Sequence, residues 1–198
     1  MGLERSEQIP ICPVGVEHGS EEFANWYDSL LPENQAILWV SWTKEKIDIF
    51  QSLPDIDQAR AIRGIVVGDI CGDATNGFYG AQFFIQTGSD FEKRKTAAIG
   101  IERAWLKATM AIDSFKQHLP EKCQKEFMKL FRDHEQFVKD FIANPNEIDQ
   151  GNLLNKLEDL QVDFRGIYHY PPGMKYSDID YAIEVSKKHR FSTDPGER

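Results

Sequence analysis

Hydrophobic residues recur along this chain at steps of three and four. Phe23, Trp26, Tyr27, Leu30 and Leu31 mark one helical face. Ser20 stands before it as an N-cap, and Glu21 and Glu22 favour the positive end of the helix dipole. Pro32 ends that element, and the stretch after it predicts a second helix with Ile37, Val40, Ile47 and Phe50 inside. Pro54, Asp55 and Gln58 have the order of a helix start with a capping box. The longest alternation is Ala98, Ile101, Trp105, Ala108, Ile112, Phe115 and Leu119. It predicts a helix of about eight turns that begins after Asp90 and stops at Pro120. Phe127, Leu130, His134, Phe137 and Phe141 continue the pattern as far as Asn144-Pro145. A shorter helix follows with Leu153, Leu154, Leu157 and Leu160. "YHYPPGMKY" reads as a loop from its prolines and glycine, and Ser177 with Asp180 caps a last helix carrying Ile179, Ala182 and Ile183.

The pattern predicts an all-α, single-domain bundle of six to eight helices. An irregular lead covers 1–19, the helical domain 20–190 and a flexible tail 191–198. The short connection at Leu119-Pro120 makes the two long helices on either side antiparallel neighbours.

One segment admits two readings. "IVVGDICGDATNGFYGAQFFIQTG" has β-branched residues and a turn-like "DATNG", as a hairpin over 65–86 would. Against this, Gly64, Gly68 and Gly72 recur every four residues, which places them on one helical face. Each glycine inside a helix costs about 1 kcal/mol relative to alanine, so three in register imply a second helix crossing closely, with Gly68 facing it. The helical reading is preferred, with Asn76-Gly77 as its C-terminal stop.

On that helix Asp69 and Asp73 continue the stripe of Ile62, Ile65 and Val66. A carboxylate on an apolar face needs a cation, a metal or several donors. Arg103 or Lys107 of the long helix is the expected ion-pair partner, and a divalent cation held by both carboxylates is the alternative. "GIVVGDICG" resembles the GxxxGDxxG helix near the start of ADP-ribosylglycohydrolases, at Gly64, Gly68, Asp69 and Gly72. That family's metal-binding TDDT and DTDT signatures have no counterpart in this chain, so its activity is not carried over.

Composition narrows the function classes. At 198 residues with 41% hydrophobic and 28% charged residues, the chain suits one globular domain with a substantial core. Its formal net charge of −9 repels nucleic-acid backbones and anionic lipid, and suits a basic protein partner. No apolar run is long enough to cross a membrane. The start "MGLERS" matches a myristoylation pattern literally, without the polybasic stretch that would support it. Cys12, Cys71 and Cys123 lack CxxC spacing and fit a reducing cytosol. Lys122 and Lys125 beside Cys123 would lower its pKa, although a structural role is preferred for that thiol.

The histidines lack the Glu-x-x-His and His-Glu-x-x-His spacings of metal sites. His134, on the seam of its helix, is expected to bond a neighbour. Tyr168, His169, Tyr170 and Tyr176 surround a stiff Pro-Pro-Gly, where aromatic rings either pack across the bundle end or present a partner-binding surface. The function expected is therefore protein–protein binding in the cytosol, as an adaptor, inhibitor or immunity-type factor. A small metal-dependent hydrolase built on Asp69 and Asp73 is the alternative.

Overall fold

The computed structural model describes residues 9–17, 19–88 and 90–192, and their side chains except those of Ile56, Asp73 and residues 189–192. The myristoylation pattern and most of the tail lie outside the described residues, and so does the side chain of Asp73. Seven α-helices and no strand occur among the described residues. They are α1 (Glu21–Ser29), α2 (Pro32–Phe50), α3 (Asp55–Thr87), α4 (Phe91–Phe115), α5 (Glu121–Ala143), α6 (Gln150–His169) and α7 (Tyr176–Ser192). The protein is an all-α bundle.

The predicted cap of α1 is present: the Ser20 hydroxyl accepts from the Phe23 N–H at 3.1 Å. Asp90 caps α4 in the same way, accepting from the Lys93 N–H at 3.0 Å. Other ends differ from expectation. The N-cap of α3 is Pro54, with no side-chain bond, so Asp55 opens the helix without a capping box. Ser177 lies inside α7, and it is Asp178 whose carboxylate reaches back to the Lys175 N–H at 3.5 Å. The long seam helix ends at Phe115 and tightens into a 3₁₀ turn, Lys116–His118. Pro120 is the cause: a residue before proline avoids α geometry, and Leu119 is extended at φ −96° and ψ 149°.

α3 lies at the centre, in contact with α2, α4, α6 and α7. It is a single helix of 33 residues, about 50 Å long by the α-helical rise. Both the hairpin and the stop at Asn76-Gly77 are overridden. Val66, Ile70, Ala74, Phe78, Ala81 and Ile85 form one buried stripe that passes straight through that dipeptide. Breaking the helix at Gly77 would expose half the stripe, a loss larger than the poor helix propensity of two residues. Gly77 also sits at a close crossing, where a Cβ would come within 2.6 Å of the Ala104 Cβ on α4.

The predicted α4 seam, from Ala98 through Ile101, Trp105, Ala108, Ile112 and Phe115 to Leu119, is buried throughout. In α5, Phe127, Leu130, His134 and Phe141 are buried, while Phe137 is partly so. α2 turns further than expected: Ala36, Leu38, Ile47 and Phe50 are buried, and Ile37 and Val40 only half-buried. In α7, Ile179 and Ala182 are buried but Ile183 is exposed. Among the described residues no helix is long and apolar enough to cross a membrane.

Candidate functional site

Asp69 is buried where α2 meets the middle of α3. Its carboxylate accepts from the Lys46 ammonium at 3.1 Å (Oδ1) and 3.0 Å (Oδ2), and Oδ2 also accepts from the Thr43 hydroxyl at 2.8 Å. The Trp39 indole N–H donates to the Asp69 backbone carbonyl at 3.2 Å. The cation beside Asp69 therefore comes from α2, not from Arg103, which instead holds Asp28 at 3.3 Å. Lys107 is buried and lies over the rings of Tyr27 and Trp39, 5.3 Å and 5.0 Å from their centroids.

Asp69 and Lys46 form an ion pair. Both oxygens of Asp69 are engaged by donors, so a metal would have to displace an ammonium. Among the described residues no group of three His, Cys, Asp or Glu comes together in a way that could hold a metal ion.

The aromatic set at the α6–α7 junction divides. α6 continues to His169, so the loop is shorter than expected and only Tyr170 of the set lies in it. Tyr168 is half-buried against the core, and burial followed by the neighbouring Tyr176 pushes its phenol above the usual range. His169 stacks on Tyr176 at 5.6 Å, and Tyr168 meets both rings edge-on. The loop turns at Gly173, whose φ of +80° suits glycine, and rests on Pro120. Three of the four rings thus pack on one another, leaving Tyr170 at 83% exposure.

His134 is buried, and its Nε2 meets the Asp163 carboxylate of α6 at 2.7 Å, so its bonding neighbour lies across a helix interface. Cys71 and Cys123 are free and buried. Burial, with a contribution from Glu126, raises Cys123 to about 12, opposite to the lowering expected from the adjacent lysines. One of these, Lys125, is paired with Glu121 at 2.6 Å. The Cys123 thiol packs in the core, and its raised pKa disfavours the thiolate.

The glycine register also resolves unevenly. At Gly64 a Cβ would overlap the Asp178 carbonyl oxygen and lie 2.9 Å from the Ala182 Cβ, so α7 crosses α3 here. At Gly68 the nearest atom is the Ile179 Cγ2 at 3.8 Å, an ordinary contact, and at Gly72 there is open space. The expected tight crossing exists, but it is at Gly64, one turn earlier than expected.

The surface that sequence patterning missed is the outer face of α3 and α4. A groove of about 390 Å³ runs between them, with Gly80, Phe84, Ile99 and Gly100 in its lining and Arg103 as its charged member. A Cβ at Gly80 or Gly100 would meet nothing within 4 Å. Tyr79, Phe83 and Phe84 are exposed by 63%, 54% and 42%, and Ile99 by 38%. The rings of Phe83 and Phe84 touch at 6.4 Å. A sequence signal existed: residues 74–89 contain no charged residue, in a chain where 28% are charged. Charge depletion with aromatic enrichment is the composition of an interface core.

No family model, curated protein or solved structure matches this chain.

Proposed function

We propose that this protein acts without catalysis, by binding protein through the outer face of α3 and α4, as an adaptor, inhibitor or immunity-type factor. The observation that carries the reading is the uncharged run 74–89, which presents Tyr79, Phe83 and Phe84 to solvent beside a groove with glycines in its lining. Aromatic anchors beside a receptive groove are the usual source of binding energy in protein interfaces. At the α6–α7 junction Tyr168, His169 and Tyr176 pack on one another, and Tyr170, His169 and Tyr176 remain exposed as a second, smaller aromatic surface. The net charge of −9 is compatible with a basic partner, but this face carries no acidic side chain of α3 between Asp73 and Asp90 to select one. Two buried, free thiols support a reducing compartment such as the cytosol.

A photo-crosslinking amino acid placed at Phe83, in the cell that makes the protein, tests the reading. A discrete adduct is expected from position 83 and none from the exposed, charged position Glu158 on α6. Absence of any adduct at Phe83 sinks it.

A further inference from the structure

We infer that the occupant of this face is a second copy of the same chain, with the two α3 helices crossing at Gly80. This rests on the binding face proposed above and names what covers it.

Gly80 is unexplained by the fold of one chain. Gly64 and Gly77 are required by neighbouring helices, whereas a side chain at Gly80 would project into open space. An interior helical glycine costs about 1 kcal/mol against alanine, and within a single chain nothing offsets it. The same holds for Gly72, Gly100 and Gly166, and of these Gly100 faces Gly80 across the groove. Glycines at these two positions let another backbone approach closely, at the 8–10 Å or so that separates packed helices.

The face also carries its own complement. Helical geometry puts Gly80 between Asn76 and Phe84, one turn away on either side, with Tyr79 and Phe83 along the adjoining edge. Protruding rings and a receiving groove thus lie on one patch, which a two-fold interface requires because each copy must offer both. When two such faces meet across Gly80, the Phe83 and Phe84 rings of each copy lie over the Gly100 groove of the other.

Charge opposes a second copy least at this face. Other protein partners are selected largely by complementary charge. This groove has one charged lining residue, Arg103, and its guanidinium is already engaged by Asp28 through the carboxylate at 3.3 Å and the backbone carbonyl at 2.9 Å. A chain of net charge −9 repels its own copy over most of its surface, and the uncharged run 74–89 is where that repulsion is least.

The area fits a weak dimer, formed only at high concentration. From their exposures, Tyr79, Phe83, Phe84 and Ile99 offer roughly 400 Å². That is about half of the roughly 800 Å² per partner of a standard interface, the size of a weak, reversible contact.

Sedimentation of the purified full chain, from low-micromolar to near-millimolar concentration, tests the inference. A monomer–dimer equilibrium is expected. Phe83→Glu and, separately, Gly80→Glu should each weaken it roughly thirtyfold, as hot-spot substitutions do. Both side chains would point into open solvent in the monomer, so circular dichroism should report an unchanged helical fold. A chain that stays monomeric throughout overturns the inference, as does a dimer that survives both substitutions. If the chain is monomeric but the crosslinker at Phe83 captures a protein of another mass, the binding face stands and the second copy is wrong. If the chain is monomeric and no adduct forms, both fall.

Discussion

Gly64 and Gly80 lie on the same long helix, and their surroundings are opposite. Around Gly64 the space is full: α7 presses its backbone against the glycine, and Asp178 beside it holds Arg60 at 2.8 Å and Arg63 at 3.8 Å. Arg60 also donates to the Ser177 carbonyl at 2.9 Å and lies 4.5 Å from the Tyr181 ring centroid. Around Gly80 the space is empty, its α3 neighbours are uncharged, and the Tyr79, Phe83 and Phe84 rings face solvent. The first region is an intramolecular crossing fixed by charge on its rim. The second has the composition of such a crossing without its second helix. The two glycines thus differ in the space where a Cβ would stand, filled at Gly64 and open at Gly80.

The comparison is sharpened most by truncating two rings on the same helix. Phe78 is fully buried against Phe164 at 5.3 Å, whereas Phe83 is exposed. Phe78→Ala should cost about 4 kcal/mol in urea denaturation. Phe83→Ala, measured at a concentration where the chain is monomeric, should stay within about 0.5 kcal/mol. Comparable losses would mean that Phe83 belongs to the core.

A smaller difference is expected from adding one methyl group to each glycine. Gly64→Ala should destabilise by about 3 kcal/mol, because the opposing atom is a carbonyl of the α7 backbone that cannot rotate aside. Gly80→Ala should stabilise the monomer by up to about 1 kcal/mol through helix propensity alone. Thermal melts of the two variants shifting in the same direction would break the distinction. Gly68→Ala, with its nearest contact at 3.8 Å, should follow Gly80.

Between the two regions, at Asp69, the expected effect is nil. Calorimetric titration with magnesium or manganese should release no binding heat, since Lys46 and Thr43 already occupy the carboxylate. Heat that disappears in Asp69→Ala would make the middle of α3 a metal site and restore the hydrolase alternative.

Much of the fold was legible in the sequence because helical burial is periodic. The seam of α4, the apolar positions of α5 and α6, and the Ser20 cap are local patterns, each set by spacing within one element. Helix ends were less legible at Pro54 and Ser177, because caps compete with neighbouring residues for the same few N–H groups. The candidate site was legible only in part. Asp69 was marked by its place on an apolar stripe, but its partner Lys46 comes from a different helix, and spacing along one helix holds no information about which neighbour it meets.

Sequence by itself determined that this is a helical bundle, that α3 carries glycines in register, and that residues 74–89 lack charge. Tertiary structure alone decided that α3 continues through Asn76-Gly77, that Gly64 is the crossing point, and that Tyr79, Phe83 and Phe84 face outward. The physical reason is common to all three. Periodicity fixes which residues share a face of a helix, while the packing of α4, α6 and α7 around α3 fixes which of those faces is covered.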